Sequence, residues 1–191
     1  MRFLIDLVIA VAVAVVVGVG SAWYAVGQGH LFGAVTVGDW TAWPNDGTLD
    51  ADPYALARIA RSGEVPLGAG EGLVFAAADD DSGAPLTSRC TYTIAGETPA
   101  ARLWTLTATD SDGRLMPNLA HRQGFHSREI VRAANGDFAI TASRSVQPGN
   151  WLPVGDAERF DLVFRLYDTP LATGSQLSTL SMPTIRKAHC P

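Results

Sequence analysis

His121 and His126 stand five residues apart in a stretch that also holds Arg122 and Arg128. Two imidazoles at this spacing could ligate a metal or pass protons. A metal site needs a third ligand at recognisable spacing, and no His-Glu-x-x-His helix supplies one. Exposed or hydrogen-bonded histidines are therefore expected here, with neither a metal nor a cofactor assigned. Asp79-Asp80-Asp81-Ser82-Gly83 and Asp110-Ser111-Asp112-Gly113 resemble calcium loops but lack the Glu that would close one. Asp and Gly are also what tight strand connections prefer, so both stretches read as hairpin turns. The chain has no Gly-x-Ser-x-Gly elbow for a hydrolase nucleophile and no glycine loop to cradle phosphate. Trp40, Trp43 and Trp151 lie near Pro and Gly, where an indole lines a ligand groove or plugs the end of a sandwich.

Such residues act only where the fold places them, and the first element of the fold faces lipid. Phe3 to Val26 is apolar apart from Asp6 and Ser21. Twenty-four helical residues rise about 36 Å, enough to cross a hydrocarbon core of about 30 Å. Trp23 and Tyr24 sit at one end, as interfacial rings do. Arg2 precedes the span and the next charge is Asp39, so the positive-inside rule puts the N-terminus in the cytoplasm. The expected topology is single-pass in the inner membrane, with the C-terminal domain in the periplasm. The competing reading is a signal peptide cleaved near Gly20-Ser21-Ala22. Ala10, Ala14, Gly18 and Ala22 recur every four residues, a small-residue stripe that would let a second transmembrane helix approach closely.

Residues 28–50 hold many turn residues and read as a connector, leaving 51–191 as one exported domain. Asp52-Pro53 opens a short helix that Gly63 ends. Beyond it the hydrophobic period becomes two. Leu73-Phe75-Ala77, Cys90-Tyr92-Ile94, Trp104-Leu106-Ala108, Phe138-Ile140-Ala142 and Phe160-Leu162-Phe164-Leu166 each mark one buried strand face. The expected fold is a mainly β, jelly-roll-like antiparallel β-sandwich with one short helix, preceded by a single transmembrane helix.

The chain has 191 residues and a formal net charge of −5. The Arg and the Asp of the first 26 residues cancel, so the domain carries all of that charge. An acidic body argues against nucleic acid as a partner, because surfaces that bind it are basic. The chain's two cysteines, Cys90 and Cys190, are expected to pair in an oxidising compartment. Closing a loop of about 100 residues is worth roughly 4 to 5 kcal/mol in chain entropy, and the bond would pin a tail otherwise free over 184–191.

Several motifs occur in a familiar order: Gly38-Asp-Trp-Thr-Ala-Trp-Pro44, Ala51-Asp-Pro-Tyr-Ala-Leu-Ala57, Leu103-Trp-Thr-Leu-Thr107, Gly149-Asn-Trp-Leu-Pro153 and Phe164-Arg-Leu-Tyr167. Together they resemble the bacterial domain-of-unknown-function family twelve-fourteen, in its short membrane-anchored form. The resemblance implies a β-sandwich and supplies no reaction. Larger relatives carry a second β-domain where this chain has its membrane span, so a function built between two domains does not transfer. Gly149-Asn150 reads as a turn, Trp151 as a large anchor and Pro153 as a rigid exit, with Arg165 on the outward face of its strand.

Two functions follow from different classes. The first is a non-enzymatic envelope protein, an accessory or ligand-binding module partnered by the bilayer and by another transmembrane helix or envelope complex. The alternative is an envelope enzyme acting on a glycan or small ester near Trp151, His121, His126 and Arg122. Its condition is that the stretches His121–Glu129 and Pro148–Pro153 meet around a cleft.

Overall fold

The computed structural model describes residues 2–27, 32–68, 70–173, 177 and 180–190. In chain order the elements are α1 (Arg2–Gly27), β1 (Val35–Val37), β2 (Trp40–Ala42), α2 (Pro53–Ser62), β3 (Gly72–Ala77), β4 (Thr91–Ala95) and β5 (Leu103–Thr109). They continue with β6 (Gly124–His126), β7 (Ala139–Ser143), β8 (Asn150–Pro153), β9 (Asp161–Tyr167), a 3-10 turn (Pro170–Thr173) and β10 (Thr184–His189).

The chain divides into two compact units, one of residues 1–33 and 45–66, the other of 34–44 and 67–191. The first holds the two helices. α1 has a mean hydropathy of 2.8 over its most apolar stretch and buries none of it in the protein, as befits a helix that could cross a membrane or serve as a signal sequence. α2 starts where the sequence predicts. The Asp52 carboxylate accepts from the backbone N–H of Tyr54 and Ala55, and Gly63 closes the helix in the left-handed conformation. Within this unit Arg58 pairs with Asp46 at 2.8 Å, and the Arg61 guanidinium lies 4.4 Å from the centre of the Trp23 ring.

The second unit is a two-layer sandwich. One sheet has six strands in the order β1-β2-β3-β9-β5-β6, the other four in the order β10-β4-β7-β8. The long strands fall where the period-two runs lie, and their even-numbered or odd-numbered apolar residues turn inward as a set. Phe75, Leu106 and Phe164 from one layer meet Tyr92, Ile94, Ile140 and Leu152 from the other, all fully buried. Rings interlock across the layers, with Tyr92 edge-on to Phe160 at 5.8 Å and Trp104 between Phe164 at 5.1 Å and Phe138 at 5.3 Å.

Three features differ from the sequence reading. The stretch read as connector contributes β1 and β2, joined by a turn at Gly38. Trp40 on this hairpin is fully buried and its indole N–H donates to the Pro183 carbonyl, so it plugs the sandwich. The tail expected to be held by the disulfide alone is β10, paired with β4 and buried through Ile185. Finally, β8 runs parallel to β7, so the four-stranded sheet is mixed.

β10 is tied down along its length. Asp39 accepts from the Ile185 N–H at 2.8 Å, and Cys190 is joined to Cys90 by a disulfide. The turn after β3 adds a charged clasp. One Asp80 oxygen accepts from the Ser82 hydroxyl and from the N–H groups of Ser82 and Ala84, while the other faces the Lys187 ammonium at 3.0 Å. Burial opposes ionisation of Asp80. The Ser82 hydroxyl, the Lys187 ammonium and the two backbone donors outweigh it and hold the carboxyl down at about 2, against an ordinary 3.8.

A depressed carboxyl stabilises the folded state above its unfolded pKa and loses that contribution as pH falls through the folded one. Asp80→Asn is therefore expected to cost about 2 kcal/mol at pH 7. The gap to the parent should close between about pH 4 and pH 2. Denaturant unfolding of both full-length chains in detergent at pH 7 and at pH 2.5 checks this. An equal gap at both values would remove the clasp from the account.

Candidate functional site

The two sheets are joined differently at their two sides. At one side β10 and the β1–β2 hairpin are stitched by Trp40 and Asp39. The other pair of edge strands, β6 and β8, borders a cleft of about 240 Å³. Its walls are Arg122, Phe125, Glu129 and Val131 from one side and Gln147, Gly149, Asn150 and Trp151 from the other. The stretches His121–Glu129 and Pro148–Pro153 thus meet around a cleft.

Backbone geometry sets each wall. β6 packs so tightly on β5 that a Cβ at Gly124 would lie 2.5 Å from the Leu106 carbonyl oxygen, so only glycine lets the strand approach. That approach buries Phe125. On the opposite wall Gly149 takes a positive φ of 77° and swings the chain into β8. Asn150, read as part of a turn, is the first residue of that strand. Its side chain is a bridge. The amide nitrogen donates to the carbonyls of Val131 at 2.8 Å and Ala139 at 2.9 Å, and the amide oxygen accepts from the Val131 N–H at 2.8 Å. The side chain thus continues the sheet for one more step and holds the segment after β6 against β7 and β8.

Trp151 is half-buried, and its indole N–H donates to the Ser143 carbonyl at 3.0 Å. What it offers the cleft is ring surface. The Arg122 guanidinium lies 4.4 Å from the centre of the Phe125 ring and 3.9 Å from Glu129 Oε1. At 4.4 Å the cation lies against the ring face, a cation–π contact that positions it. Glu129 is held in turn by His126, whose backbone N–H donates to Oε1 and whose Nε2 lies 3.2 Å from Oε2. His126 Nδ1 accepts from the Arg128 N–H, which assigns the proton to Nε2.

Three single residues and the small-residue stripe, all sequence candidates, lie outside the cleft lining. His126 projects from the outer face of the six-stranded sheet and reaches the cleft only through Glu129. The register explains this, since it aligns His126 with Thr105, and Thr105 with Arg165, on one outward row. Arg165 makes no ion pair among the described residues. His121 is exposed at a turn with a positive φ of 52°. Ala10, Ala14, Gly18 and Ala22 are exposed on α1. Val131 and Gln147 line the cleft without a signal in the sequence, because they lie on the connections beside β6 and β8 and outside the two polar and aromatic stretches.

No curated protein matches the chain. Among solved structures, the VPA0106 protein from Vibrio parahaemolyticus is similar over 76% of this chain and 37% of its own, at 24% identity and a TM-score of 0.59. That likeness shows a shared fold, and this chain spans little more than a third of that protein's length. An uncharacterized protein from Burkholderia cenocepacia is similar over 65% of this chain and 32% of its own, at 17% identity and a TM-score of 0.44. The model of the family described as protein of unknown function (DUF1214) matches residues 71–171, more than half of the chain and every residue that lines the cleft, and the chain belongs to that family.

Proposed function

We propose that this protein is a membrane-tethered binding module of the bacterial cell envelope, non-enzymatic, with its ligand in the cleft between β6 and β8. The observation that carries the proposal is the cleft itself. It is a concave site where two separate stretches bring ring surface, a guanidinium held over a ring and hydrogen-bonding groups together at the open side of an otherwise closed sandwich. The tether is α1, with Arg2 on the cytoplasmic side and the sandwich in the periplasm. A disulfide that persists in an oxidising compartment supports the exported side. A second transmembrane helix packed on Ala10, Ala14, Gly18 and Ala22 belongs to the same proposal.

The test is native mass spectrometry of the full-length protein extracted gently from its own membranes. The expected result is the uncleaved chain carrying a small-molecule adduct that Arg122→Ala and Trp151→Ala lose. Bare protein, or an adduct that both variants keep, would overturn the binding reading. A hydrolase acting on a glycan or small ester is the second reading, favoured by one observation, the carboxylate of Glu129 in the cleft wall. Turnover abolished by Glu129→Gln in a folded chain would put that reading first.

A further inference from the structure

The cleft's groups point to a class of ligand, an inference that rests on the binding reading above. Among the described residues the Arg122 guanidinium donates no hydrogen bond. Its nearest carboxylate oxygen, on Glu129, is 3.9 Å away, beyond hydrogen-bond reach. Five N–H donors are therefore held over the Phe125 ring and left for something else to accept. Glu129, whose two oxygens each face one His126 donor, keeps further acceptor lone pairs beside them. Gln147 adds an amide with both donor and acceptor character. The other polar handles are already spent, because Asn150 is committed to Val131 and Ala139 and the Trp151 N–H to Ser143. Trp151 and Val131 therefore contribute apolar surface.

A ligand that fits must accept from Arg122, donate to Glu129, and lay a C–H face on an indole. Charge narrows the choice. Arg122 and Glu129 are the cleft's charged residues, one of each sign, so its formal charge is zero. An anion that paired with Arg122 would have to sit beside the Glu129 carboxylate, and like charges that close repel. A cation would meet Arg122 in the same way. Volume narrows it further, since about 240 Å³ lies below the range usual for drug-sized ligands. We infer that the cleft binds a neutral sugar ring, whose hydroxyls both donate and accept and whose C–H face stacks on Trp151.

The test uses the full-length protein in detergent and four probes, namely the methyl glycosides of glucose, galactose and N-acetylglucosamine, and galacturonate as the charged counterpart. Tryptophan fluorescence and calorimetry report binding. At least one neutral glycoside is expected to bind, with galacturonate about tenfold weaker or worse. Arg122→Gln and Trp151→Phe should each weaken the neutral probe about tenfold, while Arg165→Gln, on the outer face of the six-stranded sheet and outside the cleft lining, should not change it. Unaltered melting of the variants separates lost contacts from lost folding. Tighter binding of galacturonate that depends on Arg122 would overturn the sugar inference and leave the binding module standing. No binding by any probe would overturn the sugar inference, and the adduct experiment then decides the binding reading separately. Binding indifferent to both cleft variants would overturn both.

Discussion

Replacing Asn150 by aspartate is expected to cost about 5 kcal/mol, and by alanine about 3. The asymmetry follows from what the amide touches. Its nitrogen donates to two backbone carbonyls and its oxygen accepts from a backbone N–H, all three at 2.8 to 2.9 Å and with the residue itself buried. Alanine removes three hydrogen bonds and leaves the Val131 and Ala139 groups to find other partners. Aspartate keeps the shape and puts a carboxylate oxygen where the amide donated, opposite two carbonyl oxygens. It must then be buried charged against two acceptors, or take up a proton and satisfy one of them. The aspartate variant should therefore recover part of its loss as pH falls from 7 to 5, which the alanine variant cannot do. Denaturant unfolding of the full-length chains in detergent at both values distinguishes them. Equal losses for the two variants, flat with pH, would mean that the bridge is a space-filler rather than a hydrogen-bonded strut.

Cys190→Ser is the second large effect. The bond closes a loop across a sequence separation of 100, for which chain entropy gives about 4 to 5 kcal/mol. β10 keeps its other ties, to Asp39, Trp40 and Asp80, so the loss should appear as lower global stability rather than as a detached strand. The strand order puts β10 and β8 at opposite edges of their sheet. Ligand binding at the β6–β8 side should then be unchanged at temperatures where the chain is still folded. Thermal melts with and without reductant give the first quantity and a probe titration below the melt the second. A melt insensitive to reductant would contradict the stability argument.

The long strands were legible because burial of one face imposes a period of two. β3, β5 and β9 span six or seven residues each, enough for that period to show. β1, β2 and β6 span three, and three residues carry no period to read. β10 was hidden for another reason. Its exposed positions carry Arg186 and Lys187, which resemble a solvated tail until Ile185 and the partner of Lys187 are seen. The cleft was half legible. Polar and aromatic residues crowd two stretches of the sequence, and the fold brings those stretches together. The spent and the free donors, however, depend on where Ser143, Val131 and Phe125 lie, which is a matter of register. His126 shows the limit most clearly. Its residue type suggests a site, and its place on β6 turns it to the far face.

The parallel pairing of β7 with β8 has a mechanical side. Parallel neighbours are ordinarily linked by a crossover of a dozen or more residues, whereas the chain returns from Ser143 to Asn150 through residues 144–149 alone. Six residues reach at most about 20 Å when extended, and they must travel back down three residues of strand and turn at both ends. The link is short for the reversal it makes. Gln147 and Gly149 sit on this short link, so one lip of the cleft is a tight connection more than a long flap. A site with a short lip has less freedom to lose when it fills. Selection by size would then be built into the length of the link, and lengthening it by a few residues should loosen selectivity before it loosens the fold.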